Sequence, residues 1–186
     1  MFRILVLVAL ISCSSLLQAK TTEALYQIDL IVFAHQQDST LPEDLSFSTA
    51  IPPQTPQAIP LDTEINSATT AYHLLPPSSS QLRQEYWALH RKPQYRVLMH
   101  YTWLQPFDNQ RAIVLPKIDR DGWQVEGTLR IRRSNYYLLN TDLVFSSPNN
   151  GQAAFVFSQK QRLKGGDIYY LDHPQAGMLI KIHQLA

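Results

Sequence analysis

This chain of 186 residues predicts a predominantly β fold of the α+β class: a curved antiparallel sheet, sandwich- or barrel-like, with one packed helix and a long proline-rich loop. Three observations carry that expectation. From residue 95 onward, short runs with period-two alternation or a β-branched and aromatic bias follow one another between turn residues. No helical crossover separates them, so neighbouring strands should pair antiparallel. Only one segment, just before Pro93, sets apolar residues at helical spacing.

Arg3, the apolar run from Ile4 to Leu10, and the small residues up to Ala19 have the charged start, hydrophobic middle and small-residue exit of a secretory leader. Its apolar part is shorter than the ~20 residues a spanning helix needs. Cleavage after Ala19 would make residues 1–19 a signal peptide and 20–186 a single periplasmic β-rich domain. Alternatively, Leu10-Ile11-Ser12-Cys13 reads as a lipobox, which would give an outer-membrane lipoprotein anchored through Cys13. Cys13 is the only cysteine, so cleavage at Ala19 leaves no disulfide, thiol nucleophile or zinc-thiolate site. Loss of the leader also removes Arg3 and no acid, which balances the charges. That balance gives no support to a nucleic-acid partner.

The first strand is expected over 25–34, where Tyr26, Ile28, Leu30 and Val32 alternate with Gln27 and Asp29 in the pattern of a half-buried strand. Residues 36–80 carry seven of the chain's prolines among Ser, Thr, Gln and Asp, and read as a largely irregular insertion. A helix is expected from the Ser78-Ser79-Ser80 cluster, with Gln81 as capping-box partner. Leu82, Tyr86 and Leu89 would face the sheet, Arg83, Glu85 and Arg91 would face water, and Pro93 would end the helix. Strands follow over 95–104, 112–115, 123–132, 136–145, 153–164, 167–171 and 177–183. Between them lie turns at Pro106-Phe107-Asp108-Asn109, Asp121-Gly122, Ser134-Asn135 and Pro148-Asn149-Asn150-Gly151. Gly165-Gly166 is a two-residue turn of the kind that closes a hairpin, and Asp172-His173-Pro174 a second reversal into the last strand.

Catalytic constellations are not apparent in the sequence. Asp172 and His173 are neighbours, but adjacent strand residues point apart and no Gly-x-Ser-x-Gly elbow supplies a nucleophile. Asp172 is therefore expected to accept backbone hydrogen bonds in its turn. The six histidines show no helical metal spacing, and no glycine-rich phosphate loop follows a strand, so neither a metal nor another cofactor is expected.

The strand over 123–132 separates its faces: Val125, Leu129 and Ile131 on one side, Glu126, Thr128, Arg130 and Arg132 on the other. Tyr136 or Tyr137, opening the next strand, should lie near the arginine row. Arg130, Arg132 and Tyr136 are the candidate ligand-binding residues, because guanidinium groups pair with carboxylates and an aromatic ring stacks on a sugar face. A solvated sheet face with ordinary cross-strand packing is the alternative reading of the same pattern.

The chain resembles the CsiV-type periplasmic peptidoglycan-binding proteins of Gram-negative bacteria. The resemblance rests on Tyr26-Gln27-Ile28-Asp29-Leu30-Ile31-Val32-Phe33, on Val97-Leu98-Met99-His100-Tyr101-Thr102-Trp103-Leu104-Gln105-Pro106 with the preceding helix, and on Gly127-Thr128-Leu129-Arg130-Ile131 through to Ile182. Its most specific word is Tyr170-Leu171-Asp172-His173-Pro174 with Gly177. It implies a non-enzymatic protein that binds peptidoglycan and supports cell-wall assembly by modulating a peptidoglycan synthase through an outer-membrane lipoprotein activator. The alternative is an envelope protein–protein scaffold without glycan binding. The chain departs from the family pattern at Gln161-Arg162 and Gly165-Gly166, where a pair of arginines and an acidic turn are expected. The departure leaves a different or weaker ligand contact in that hairpin.

Overall fold

Alternating apolar side chains give a strand one face that must be covered, and here two sheets cover one another. A computed structural model describes residues 24–36, 57–65, 70–146 and 154–185. Residues 1–19, 37–56 and the turn at 148–151 lie outside the described residues. The strands are β1 (Leu25–His35), β2 (Ile59–Pro60), β3 (Asp62–Ile65), β4 (His73–Leu74), β5 (Tyr95–Pro106), β6 (Ile113–Arg120), β7 (Trp123–Arg133), β8 (Tyr137–Ser146), β9 (Ala154–Leu163), β10 (Ile168–His173) and β11 (Ala176–Gln184). One sheet has the order β10-β11-β1-β5-β4-β3, the other β2-β6-β7-β8-β9. The long pairings are antiparallel, and only the short contacts β2–β6 and β3–β4 are parallel.

The fold is thus α+β and mostly β as expected, in the sandwich-like form of that expectation, with two sheets and no closed barrel among the described residues. The reason lies in the turns. Gly165-Gly166 does not close a hairpin: β9 lies at the edge of the second sheet and β10 at the edge of the first, so this turn carries the chain across the sandwich. Gly166 takes φ +88° there, and its N–H donates to the Ile182 carbonyl at 2.7 Å. The Asp172-His173-Pro174 reversal does close a hairpin, with His173 opposite Ala176. Within the proline-rich stretch, β2 joins the second sheet and β3 the first, and the buried Leu61 between them plugs the seam.

Apolar side chains from both sheets meet in one core around Trp103, Phe145, Phe157, Leu129 and Ile131. β1 contributes Tyr26, Ile28, Leu30 and Val32 to it. Its opposite face is buried too, contrary to the half-buried reading, because Ile31 and Phe33 pack under the helical segment with Leu82 and Val97. A central strand between β11 and β5, capped on one side by a sheet and on the other by a helix, has no wet face.

Gln27 and Asp29 lie on that helix-facing side, and both are buried. Gln27 Nε2 donates to both Asp29 oxygens, at 3.1 and 3.2 Å, and to the Ser79 carbonyl at 2.9 Å. The Thr102 hydroxyl and the Gln81 backbone N–H donate to Asp29 Oδ1 at 2.8 and 3.2 Å. A 3-10 turn at Pro77–Ser79 and the helix α1 (Arg83–His90) are seated on this carboxylate. No capping box forms with Gln81. Instead Ser80 Oγ accepts the Leu82 N–H at 3.1 Å, Gln81 N–H goes to Asp29, and the Gln81 amide reaches His183 Nε2 at 2.9 Å. His183 Nδ1 lies 3.7 Å from Asp29, but burial lowers the imidazole pKa below its usual 6.5 despite the carboxylate, so at pH 7 this is no ion pair.

Leu82 and Tyr86 face the sheet as expected, with Leu89 half-buried beside them, and Glu85 is half-buried where it was expected to face water. Leu82→Asp should therefore cost about 3 kcal/mol or more, because the charge enters a fully covered site. Leu89→Asp should cost clearly less, since its carboxylate can reach solvent. Urea titrations of the two variants measure the difference, and equal midpoints would mean that the helix seats differently.

Candidate ligand-binding face

Val125, Leu129 and Ile131 are committed to the core between the sheets, so Glu126, Thr128, Arg130 and Arg132 of β7 point outward. Strand register extends this face. Arg132 stands opposite Leu138, which stands opposite Arg162, and Arg130, Asn140 and Lys160 form the adjoining row. Strands lie about 4.8 Å apart and same-face residues about 6.8 Å apart, so the four cations mark the corners of a patch of about 7 by 10 Å. Lys160 and Arg162 are exposed, and Arg130 and Arg132 are half-buried.

None of the four has an ion-pair partner among the described residues. Asp142 lies in the next row, where Oδ1 accepts the Ser158 hydroxyl at 2.6 Å. Glu126, one row further, pairs with Lys117 at 3.8 Å. Positive charge is therefore gathered at one end of the face and negative charge at the other.

Local contacts hold the cations in place. Arg130 Nε donates to the Gln110 carbonyl at 2.6 Å. The Arg162 guanidinium lies 4.8 Å over the Tyr136 ring, within range of a cation–π interaction. Arg132 Nε is buried and has no hydrogen-bond partner among the described residues. Tyr136 occupies the β7–β8 turn and borders an open groove of about 640 Å³, also lined by Arg133, Asn135 and Lys164. Tyr137, the other tyrosine of the pair, is buried in the core.

Arg130 and Arg132 thus share one face as the alternation of β7 requires, and Tyr136 stands at its end. Lys160 and Arg162 complete the patch and were not singled out in the sequence. Their outward side was legible, because Lys160 and Arg162 alternate with the buried Phe157 and Leu163. Their row was not, because it depends on how β9 registers against β8.

The groups that could suggest catalysis are otherwise engaged. His173 stacks on Phe155 at 4.7 Å, and its Nδ1 accepts the Gln175 N–H at 3.2 Å. Asp172 does not serve the turn backbone as expected. Its Oδ1 accepts the Tyr170 hydroxyl at 2.5 Å, and burial together with that carboxylate pushes the Tyr170 pKa up. Ser80 Oγ and His100 Nε2 lie 2.9 Å apart, like a nucleophile and its base, yet Ser80 is only 5% exposed and its oxygen already accepts the Leu82 N–H. Among the described residues no three His, Cys, Asp or Glu side chains group as a metal site. No helix among them is long and apolar enough to cross a membrane.

Searches of curated proteins and of solved structures find no match to this chain. A family model described as "Peptidoglycan-binding protein, CsiV" matches residues 4–185, which takes in both sheets, the helix and the cationic face, and the chain belongs to that family of peptidoglycan-binding proteins.

Proposed function

We propose that this protein is a non-enzymatic, periplasmic peptidoglycan-binding module, exported by the leader at 1–19, that holds acidic stem peptides on Arg130, Arg132, Lys160 and Arg162 with Tyr136 as a platform for a sugar ring. The observation that carries this reading is the clustering of four unpaired cations in two adjoining rows beside an aromatic ring. Guanidinium groups meet carboxylates through paired, charge-assisted hydrogen bonds, and the ring offers an apolar surface to sugar C–H groups. The absence of catalysis is supported by the burial of Ser80 and by the stacking of His173. On this reading the protein supports wall assembly by modulating a peptidoglycan synthase through an outer-membrane lipoprotein activator.

Retention on purified sacculi tests the face. Arg130→Ala with Arg132→Ala should leave the melting temperature within a few degrees of wild type, since neither half-buried arginine is in an ion pair among the described residues, the Arg130 bond to the Gln110 carbonyl is solvent-exposed and Arg132 Nε has no hydrogen bond to lose. Sacculus affinity should fall roughly tenfold or more, given ~1.5–3 kcal/mol for hydrogen bonds to charged groups, and its salt dependence should flatten. Adding Lys160→Ala and Arg162→Ala should abolish retention at moderate salt. A folded quadruple variant that binds as wild type does across a salt titration would remove the face from the mechanism.

The alternative, a scaffold that binds protein only, is favoured by one feature. β10 is an edge strand with Ile168 and Tyr170 exposed, which suits addition of a partner strand. Wild-type protein that stays in the supernatant with sacculi at low salt would favour this reading over glycan binding.

A further inference from the structure

β4 pairs with β5 at Leu74 and Trp103, flanked by backbone bonds from Tyr72 to Leu104 and from Leu75 to Thr102, and among the described residues no strand pairs with that edge of β5 from Leu98 to Tyr101. An open cleft of about 430 Å³ lies at this bare edge, between α1 and the far end of β6. Its size falls within the ~300–1,000 Å³ typical of small-molecule sites.

Aromatic rings line it in a fixed arrangement. Tyr86 is sandwiched between His100, at 4.7 Å and 17°, and His90, at 5.5 Å and 11°. Trp87 stands edge-on to Tyr86 at 5.2 Å, and Tyr101 joins from β5. Trp87 remains 53% exposed although it lies beside the helix stripe that packs on the sheet. An indole held by neighbouring rings, yet left open to solvent, offers a ready stacking surface.

The charge in the cleft has one sign. Arg83, in the first turn of α1, and Arg120, at the end of β6, both line it, and no Asp or Glu does. Neither arginine is in an ion pair among the described residues. Arg120 and Tyr101 both line the cleft, and the positive charge of Arg120 opposes the burial that raises the Tyr101 pKa. His100 adds no third charge at pH 7, because burial lowers its pKa below 6.5.

We infer that this cleft is a second binding site, distinct from the cationic face of the other sheet, for an N-acetylated amino sugar carrying a free carboxylate, with Trp87 against the ring and Arg83 and Arg120 on the acid. The choice of a wall sugar rests on the peptidoglycan-binding reading, in which muramic acid presents a free carboxylate only on glycan strands stripped of their stem peptides, while the need for a ring and an acid comes from the cleft itself.

The test is a tryptophan-fluorescence and calorimetric titration of the protein with N-acetylmuramic acid, with N-acetylglucosamine as the ring without the acid and lactate as the acid without the ring. Of the three tryptophans, Trp103 is fully buried, Trp123 stands opposite Arg120 across the β6–β7 turn and Trp87 lines the cleft, so the calorimetric titration carries the result and fluorescence from Trp87 and Trp123 accompanies it. N-acetylmuramic acid should bind saturably and at least tenfold more tightly than either fragment. Arg120→Ala should bring it down to the level of N-acetylglucosamine. Trp87→Ala, at an exposed position that leaves the melting curve unchanged, should remove the heat of binding. Equal affinity for acid and neutral sugar, wild-type binding in Arg120→Ala or Trp87→Ala, or no binding of N-acetylmuramic acid at all would each overturn the inference. Sacculus retention measured beside the titration separates the two readings. A null titration with sacculi still retained removes the cleft alone, whereas loss of sacculus retention by the wild type removes the wall-binding reading itself.

Discussion

Gly127→Ala should lower the melting temperature by roughly 10 °C, the largest single-methyl effect expected in this chain. Gly127 lies in β7, the central strand of the second sheet, opposite Leu143 of β8. It adopts φ +150°, where an L side chain is strained. A Cβ there would run into the Asp142 carbonyl oxygen and come within 2.8 Å of Leu143 Cα. Both obstacles are backbone of a paired strand and cannot rotate aside, so the strands must separate or the register must shift. Backbone strain with overpacking costs ~3 kcal/mol or more, and in a protein of this size each kcal/mol is worth about 2–4 °C. Gly166→Ala is the internal control. It shares a positive φ, +88°, but a Cβ there meets nothing within 4 Å, so only the backbone cost of ~1–2 kcal/mol remains. If Gly127→Ala melts no lower than Gly166→Ala, the close approach of β7 and β8 is wrong.

Asp29→Ala should destabilise the protein by roughly 3–5 kcal/mol, because it strands several buried donors at once. Asp29 is 0% exposed. Its removal takes the acceptor from the buried Thr102 hydroxyl and the part-buried Gln81 N–H, and leaves the buried Gln27 amide with only the Ser79 carbonyl. Asp29→Asn should rescue only in part, since Oδ1 can still accept from Thr102, Gln81 and Gln27 while the other oxygen becomes a donor facing the Gln27 amide. The damage should spread from the strand to the helical segment, which the Gln81 N–H and the Gln27 bond to Ser79 fasten to the sheet. Amide hydrogen exchange at Gln81 and Leu82 should accelerate more than exchange in β8. A urea midpoint unchanged from wild type would show that the network does not hold the segment down. With the seat of α1 loosened, the cleft beside Trp87 should lose ligand affinity in the same variant.

Sequence reading located the strands because alternation is a local property. The runs at β5, β7, β8, β10 and β11 declare themselves in apolar and polar order within a few residues, and observed bounds differ from expected ones by no more than about two residues, within the usual scatter of strand ends. The β-rich class and the outward side of Arg130 and Arg132 follow from the same period. Partnership between strands is not local, and there the reading stopped. Gly165-Gly166 would look the same whether it closed a hairpin or carried the chain between sheets, and only the pairing of β10 with β11 settles it. Gln27 and Asp29 gave β1 the look of a half-wet strand, because polarity in sequence records the need for a hydrogen-bond partner and not the presence of water. The structure meets that need with Thr102 and the Gln81 backbone, tens of residues away. Lys160 and Arg162 reached the arginine rows by register across β8, and Arg83, Trp87 and Arg120 met at the bare edge of β5 by the packing of three separate elements. The strands and their facing were thus determined by the sequence itself, whereas the composition of each binding surface was decided by tertiary structure, because long-range contacts select which outward faces lie side by side.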